Sequence, residues 1–194
     1  SCDIVVNAAG SWAGNIAELV GLEVGVQPDR GTLVAFNHRF TSRVVNRLHM
    51  SSDGDIFVPH GSITILGTTS FHADRPDAHE APTADVLKLL DIGEVLIPNL
   101  RSYRILRAFA GTRPLYVAKG SAEGRAASRG FHISDHSEEG LDGMFSIFGG
   151  KFTTYRLMAE KLCDLVCAKL GVNAECRTAI EPLIADPSPA MLNK

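Results

Sequence analysis

The sequence predicts an α+β chain: an antiparallel or mixed sheet with flanking helices, framed by one strand–turn–helix segment near its start and another near its end. Three observations predict this. Between 31 and 70, short β-branched runs alternate with Asn, Asp-Gly and His-Gly turns. A strand-like run meets a turn of small residues at Val5-Val6-Asn7-Ala8-Ala9-Gly10. A second one meets a glycine pair at Phe148-Gly149-Gly150, just ahead of the longest stretch with helical spacing.

Taken in order, a strand is expected over Asp3 to Ala9, ended by Gly10, with Ser11 as N-cap of a helix reaching about Val20 before Gly21. Strands at Thr32 to Phe36, Val44 to Leu48, Ile56 to Pro59 and Ser62 to Leu66 make an antiparallel meander. The polar, proline-bearing stretch 70–83 reads as a loop. Thr83 caps a helix over Ala84 to Val95, with Val86, Leu89, Leu90 and Ile92 on one face and Pro98 beyond its end. Strand character returns at Tyr103 to Ala110, Phe131 to Ser134 and Met144 to Phe148, and the small polar run 118–127 reads as a surface loop. The last helix carries Tyr155, Met158, Leu162, Leu165 and Leu170 and ends at Gly171. After Val172 come three prolines and no period, the pattern of a linker.

The bulk properties exclude several classes. The 194 residues suffice for one domain or two small ones, and 45 % hydrophobic with 21 % charged residues supports a packed core. A net charge of −3 argues against broad nucleic-acid binding, although arginines cluster at 101–113 and 125–129 and leave room for a local anion site. No apolar run approaches the roughly 18 residues of a membrane span. Asp3 and Asn7 break the first apolar stretch, so it is not expected to be a signal peptide. Cys2, Cys163, Cys167 and Cys176 are too few for a disulfide scaffold and imply a reducing compartment.

Three motifs could carry chemistry. At Val5 to Trp12, small residues let a ligand approach the backbone and a helix start offers N–H groups to an anion, though such turns also recur as plain packing in α/β proteins. At Gly149-Gly150-Lys151-Phe152-Thr153-Thr154, a glycine pair and a lysine at a helix start could stabilise negative charge on a phosphate or on a flavin N1/C2-oxygen edge. The alternative is a simple glycine turn beside an exposed lysine. Arg113 and Arg129 offer guanidinium forks matched to a phosphate dianion, if the fold brings both to one place. Cys163, Cys167 and Cys176 lack a completing ligand, so no metal is expected. His72, Asp74, Asp77, His79 and Glu80 read as a solvated loop, and the remaining histidines pair with no nucleophile. A full G-x-G-x-x-G is absent from the chain.

In VVNAAGSWA (5–13), VVNR (44–47), DIFVPHGSITILGTTS (55–70), RILRAFAGTRPL (104–115), SRGFHISDH (128–136), LDGMFSIFGGKFTTYRLMAEKL (141–162) and VCAKLG (166–171), the chain resembles the FAD-dependent glycerol-3-phosphate dehydrogenases. The likeness is greatest to the catalytic A subunit of the anaerobic type, and AGTRPL and GGKFTTYRLMAE are its most specific stretches. The resemblance implies a carboxy-terminal fragment lacking the first FAD-binding motif: 1–20 a remnant of the FAD-binding domain, 21–108 a substrate-binding sheet, 109–171 the return segment closing a Rossmann-like FAD domain, and 172–194 a linker to an absent part. It further implies that Ala8, Ala9 and Gly10 line FAD, and that Gly149, Gly150, Lys151 and Thr153 form a second flavin-contacting segment with Lys151 near the ring and substrate. Arg113 and Arg129 would hold the substrate and its phosphate, Lys151 and Arg113 being the catalytic pair.

The implied reaction oxidises sn-glycerol 3-phosphate to dihydroxyacetone phosphate, with electrons passed to quinone through partner subunits that carry a membrane anchor. That places the protein in the cytoplasm, at the inner face of the cell membrane. Where aerobic relatives carry a histidine, this chain has Thr32 in Arg30-Gly31-Thr32, which leaves the general base unassigned. The isolated fragment is not expected to hold FAD or turn over. The alternatives are another oxidase-like flavoprotein acting on an amino or hydroxy acid, and a non-catalytic anion-binding or assembly module.

Overall fold

The computed structural model of the chain describes residues 2–47, 56–117 and 130–181. They form two compact units, Ser1–Val24 with Ser128–Lys194, and Gly25–Ala127.

In the first unit, β1 (Val5–Asn7) is followed by a single 3-10 turn (Gly10–Trp12) and α1 (Ala13–Glu18). Ser11 is buried inside that turn and caps neither helix; Ala9 and Trp12 occupy the cap positions without side-chain caps. The helix therefore starts later and is shorter than the sequence suggests. β8 (Phe131–Asp135) and β9 (Met144–Gly149) are antiparallel, and β9 lies between β8 and β1, to which it is parallel. Met144 to Phe148 are all buried, as expected of a strand covered on both faces. α3 (Tyr155–Lys169) packs through Met158, Leu162 and Val166 onto Phe145, Ile147, Phe131 and Ile133. Spacing of four selects that row, so Tyr155, Leu165 and Leu170 of the expected face stay exposed.

In the second unit β2 (Val26–Phe36) is the axis. One edge pairs with all of β7 (Ile105–Tyr116); the other pairs with β5 (Ile63–Gly67) through Leu33 to Phe36 and with β6 (Phe71–His72) through Asp29 and Arg30. β3 (Val45–Asn46) and β4 (Ile56–His60) complete the order β3-β4-β5-β2-β6. Only β3-β4-β5 form the expected meander; β2 joins it at β5, where Val34 and Phe36 reach the core shared with Phe57 and Leu66. α2 (Thr83–Gly93) covers this core with Leu89 and Leu90. Pro82, not Thr83, precedes its first turn, and the side chain that ties the turn down is Asp85. β7 runs unbroken through 108 and 109, so a boundary there cuts a strand; the two units separate after Val24 and after Ala127. The expected loop at 118–127 lies outside the described residues.

Among the described residues no helix is long and apolar enough to cross a membrane, and no three His, Cys, Asp or Glu residues group as metal ligands.

Candidate functional site

Two of the sequence-predicted segments meet in the first unit. β1 and β9 are adjacent and parallel, with Asn7 opposite Ser146. Three residues beyond each stands a glycine with positive φ: Gly10 (60°) and Gly149 (80°), the latter followed by Gly150 (73°). Both turns thus leave the carboxyl ends of neighbouring parallel strands, the edge at which α/β sheets bind ligands. Ala8 is exposed, Ala9 and Gly10 half-buried, and none bears a side chain larger than a methyl group.

The first turn is fixed by Asn7, which is 3 % exposed. Its Nδ2 donates to the Ala13 carbonyl (2.8 Å) and, at longer range, to Ser146 Oγ (3.4 Å), while Oδ1 accepts from the Ala9 N–H (3.4 Å). Ser146 Oγ also lies 2.9 Å from Nε2 of the buried His136, whose Nδ1 has no hydrogen-bond partner and faces Glu139 at 3.8 Å. Sequence reasoning missed Asn7, Ser146 and His136. Their only signal was the apolar surroundings of three polar residues.

At the second turn both glycines are required. A Cβ on Gly149 would lie 2.6 Å from the Gly130 carbonyl oxygen, and one on Gly150 2.5 Å from Met158 Sδ. The Gly150 N–H donates to that same carbonyl (3.0 Å). Lys151 then enters a 3-10 turn (Phe152–Thr154) that leads into α3. Its N–H donates to Thr154 Oγ1 (3.0 Å), which donates back to the Lys151 carbonyl (2.8 Å). The threonine that shapes the turn is Thr154, whereas Thr153, Lys151 and Phe152 are exposed. The first N–H groups of a helix have no intrahelical acceptor, and fifteen-residue α3 has a macrodipole that six-residue α1 lacks. Of the two turns, the one at Lys151 therefore carries the stronger positive potential, and the one at Gly10 leaves the backbone open to close approach.

Arg113 belongs to the second unit. It stands opposite Asp29 in the β2–β7 ladder, and Nη1 donates to Asp29 Oδ2 (2.6 Å) and the Thr69 carbonyl (3.4 Å). Nη2 donates to Thr68 Oγ1 (2.9 Å) and again to the Thr69 carbonyl (3.3 Å). The guanidinium occupies space that exists because residue 31 is glycine: a Cβ there would lie 2.7 Å from Cζ and 2.7 Å from Thr68 Oγ1. Ser70 Oγ bonds both Asp29 oxygens (2.8 and 2.9 Å). A second buried carboxylate, Asp85, accepts from Thr32 Oγ1 (2.8 Å), Arg30 Nη2 (3.3 Å) and Thr69 Oγ1 (3.4 Å). Thr32 is fully buried, with its hydroxyl donating to Asp85. Arg129 lies outside the described residues.

Residues 1–164 match the profile of a family described as FAD dependent oxidoreductase. The chain is 44 % identical over 184 residues to the A1 subunit of the anaerobic glycerol-3-phosphate dehydrogenase of Haloferax volcanii, covering 93 % of this chain and 31 % of that protein. It is 45 % identical over 183 residues to the A subunit of the corresponding Haemophilus influenzae enzyme, covering 93 % and 32 %. The chain spans about a third of the length of these curated relatives. Among solved structures, glycerol-3-phosphate dehydrogenase from Bacillus halodurans complexed with FAD superposes with a TM-score of 0.68 at 30 % identity, over 91 % of this chain and 34 % of that one. Iminodiacetate oxidase from Chelativorans sp. BNC1 superposes at 0.65 with 20 % identity, over 91 % and 44 %, a likeness of fold alone.

Proposed function

The chain belongs to the family of FAD dependent oxidoreductases, and on that premise we propose that it is part of a dehydrogenase that oxidises sn-glycerol 3-phosphate to dihydroxyacetone phosphate. The observation that carries the redox part is the pair of glycine turns at the carboxyl ends of β1 and β9. The substrate part is supported by the 44–45 % identity to the A subunits of anaerobic glycerol-3-phosphate dehydrogenases.

The residues present suit the flavin end of FAD. Gly10 opens onto space with nothing within 4 Å of an added Cβ. The Lys151 turn brings a full positive charge to the start of α3. The fingerprint for the pyrophosphate is not among these 194 residues. FAD, when bound, supplies the two-electron acceptor for the alcohol carbon. Ala8, Ala9 and Gly10 allow its close approach to the backbone, held in shape by Asn7. With FAD bound, Lys151 and the amides that open α3 would stabilise negative charge at the N1/C2-oxygen edge. In this reading Arg113, whose Nη hydrogens are engaged by Asp29, Thr68 and Thr69, draws the substrate phosphate through its charge, Arg129 binds the phosphate, and Gly149, Gly150 and Thr153 would line the ring. The first unit is the return part of the FAD domain and the second the substrate sheet. Transfer of electrons to quinone through anchored partner subunits, at the inner face of the cell membrane, completes the proposal.

The test is reconstitution of the complete protein with FAD, followed by dye-coupled oxidation of glycerol 3-phosphate, glycerol, glycine and lactate in parallel. Turnover confined to glycerol 3-phosphate is expected. Turnover with glycine or lactate and none with the phosphate ester overturns the substrate assignment in favour of an amino- or hydroxy-acid oxidase.

A further inference from the structure

An arginine meant to grip a dianion serves best with its charge unopposed, and Arg113 is opposed. Asp29 faces it across the β2–β7 ladder, is 7 % exposed, and is pinned by Ser70 through both oxygens. Thr68 and the Thr69 carbonyl take the remaining Nη hydrogens, and Gly31 leaves the guanidinium room to lie inward. All four Nη hydrogens thus have partners within the protein, and the local pair is electrically neutral. The neighbouring Arg30 is likewise matched by buried Asp85.

From this arrangement we propose that Asp29 is a specificity-determining residue: its carboxylate sets how strongly the Arg113 site prefers doubly charged ligands. The proposal rests on Arg113 facing the substrate phosphate, as assigned above. Asp29 both aims the guanidinium and subtracts from the potential that a phosphate meets. A ligand beyond the guanidinium sits about 7 Å from the carboxylate, where the repulsion, at an effective dielectric constant of about 50–70, weakens binding about three- to fivefold per unit of ligand charge. For a dianion the factor is squared, to about ten- to twenty-fivefold; for an uncharged ligand it is one.

Asp29→Asn removes the charge, still accepts from Arg113 and can donate to Ser70. In the complete FAD-loaded protein, dissociation constants are measured by thermal shift for inorganic phosphate (dianion), methyl sulfate (monoanion) and glycerol (neutral), which needs no turnover. The expected result is tightening that grows with ligand charge and is absent for glycerol, with the unfolding midpoint of the unliganded variant near that of the parent. Phosphate affinity that is unchanged or weaker in a folded Asp29→Asn protein overturns the proposal. Tightening that is equal for all three ligands also overturns it. If Asn is not tolerated, Asp29→Thr removes the same charge with a strand-compatible side chain and must give the same ordering. A parent protein that binds phosphate but does not oxidise glycerol 3-phosphate would sink the proposed function and leave the Asp29 result readable.

Discussion

Asn7 links the strand that ends at the candidate cofactor edge to the helix that follows. Asn7→Ala deletes one well-formed bond, to the Ala13 carbonyl at 2.8 Å, and two long ones at 3.4 Å. A buried group stripped of a good partner costs about 1–3 kcal/mol, and the two long contacts together add on the order of 1 kcal/mol. The expected loss is therefore about 2–4 kcal/mol, of which any part needed to reorder Ala8-Ala9-Gly10 is drawn from cofactor binding. That corresponds to a rise in the FAD dissociation constant of up to about thirty- to nearly a thousandfold. The assay is flavin fluorescence during titration of the complete apoprotein, with FAD stoichiometry after gel filtration as a second readout. Asn7→Asp is the companion variant: it keeps the acceptor for the Ala9 N–H but sets an oxygen against the Ala13 carbonyl, and should bind FAD no better than Asn7→Ala. An Asn7→Ala protein with parental FAD content and a dissociation constant within about twofold of the parent would refute this reasoning.

In the complete, FAD-loaded protein Lys151→Met should lower the flavin midpoint potential, by about 30 mV for each ~1.4 kcal/mol of stabilisation lost to a two-electron couple; an unchanged or raised potential in a redox titration contradicts the charge argument. Arg113→Lys keeps the charge but loses the planar fork that serves Asp29, Thr68 and Thr69, so kcat/KM for glycerol 3-phosphate should fall at least about tenfold while FAD content holds; equal kcat/KM rejects the role. Burial holds the His132 imidazole below its ordinary value of 6.5, so between the two values the unfolded chain binds more protons than the fold. Stability should therefore rise with pH through that window and be fully present above it, and His132→Gln should flatten the rise in thermal midpoint between pH 5 and 7, roughly the range of histidine titration; parallel curves for the two proteins would contradict it.

Local signals made the two ends of the candidate cofactor edge legible. Gly10 and the Gly149-Gly150 pair each break an apolar run, and a glycine in that position announces a turn whatever the rest of the fold does. Arg113 was visible through its motif. The long strands were not legible over their full length, because Pro28-Asp29-Arg30-Gly31 and Gly111-Thr112-Arg113-Pro114 are poor strand formers by propensity. They are strands because each supplies the other's ladder, Pro28 opposite Pro114 and Gly31 opposite Gly111. The buried polar links escaped for the same reason. Asn7 with Ser146, and Asp29 with Arg113, are separated by 139 and 84 residues, and no local period connects them. The face of α3 was only partly readable, since Tyr155, Leu165 and Leu170 satisfy a helical spacing but turn away from Phe145 and Ile147.

The central claim is that this chain contributes to an FAD site that takes electrons from glycerol 3-phosphate. Its most direct measurement is anaerobic titration of the complete, FAD-loaded protein with sn-glycerol 3-phosphate, followed by the flavin absorbance. The account predicts bleaching of the oxidised flavin band by the phosphate ester and none by glycerol. Flavin that dithionite bleaches but glycerol 3-phosphate leaves oxidised would contradict it.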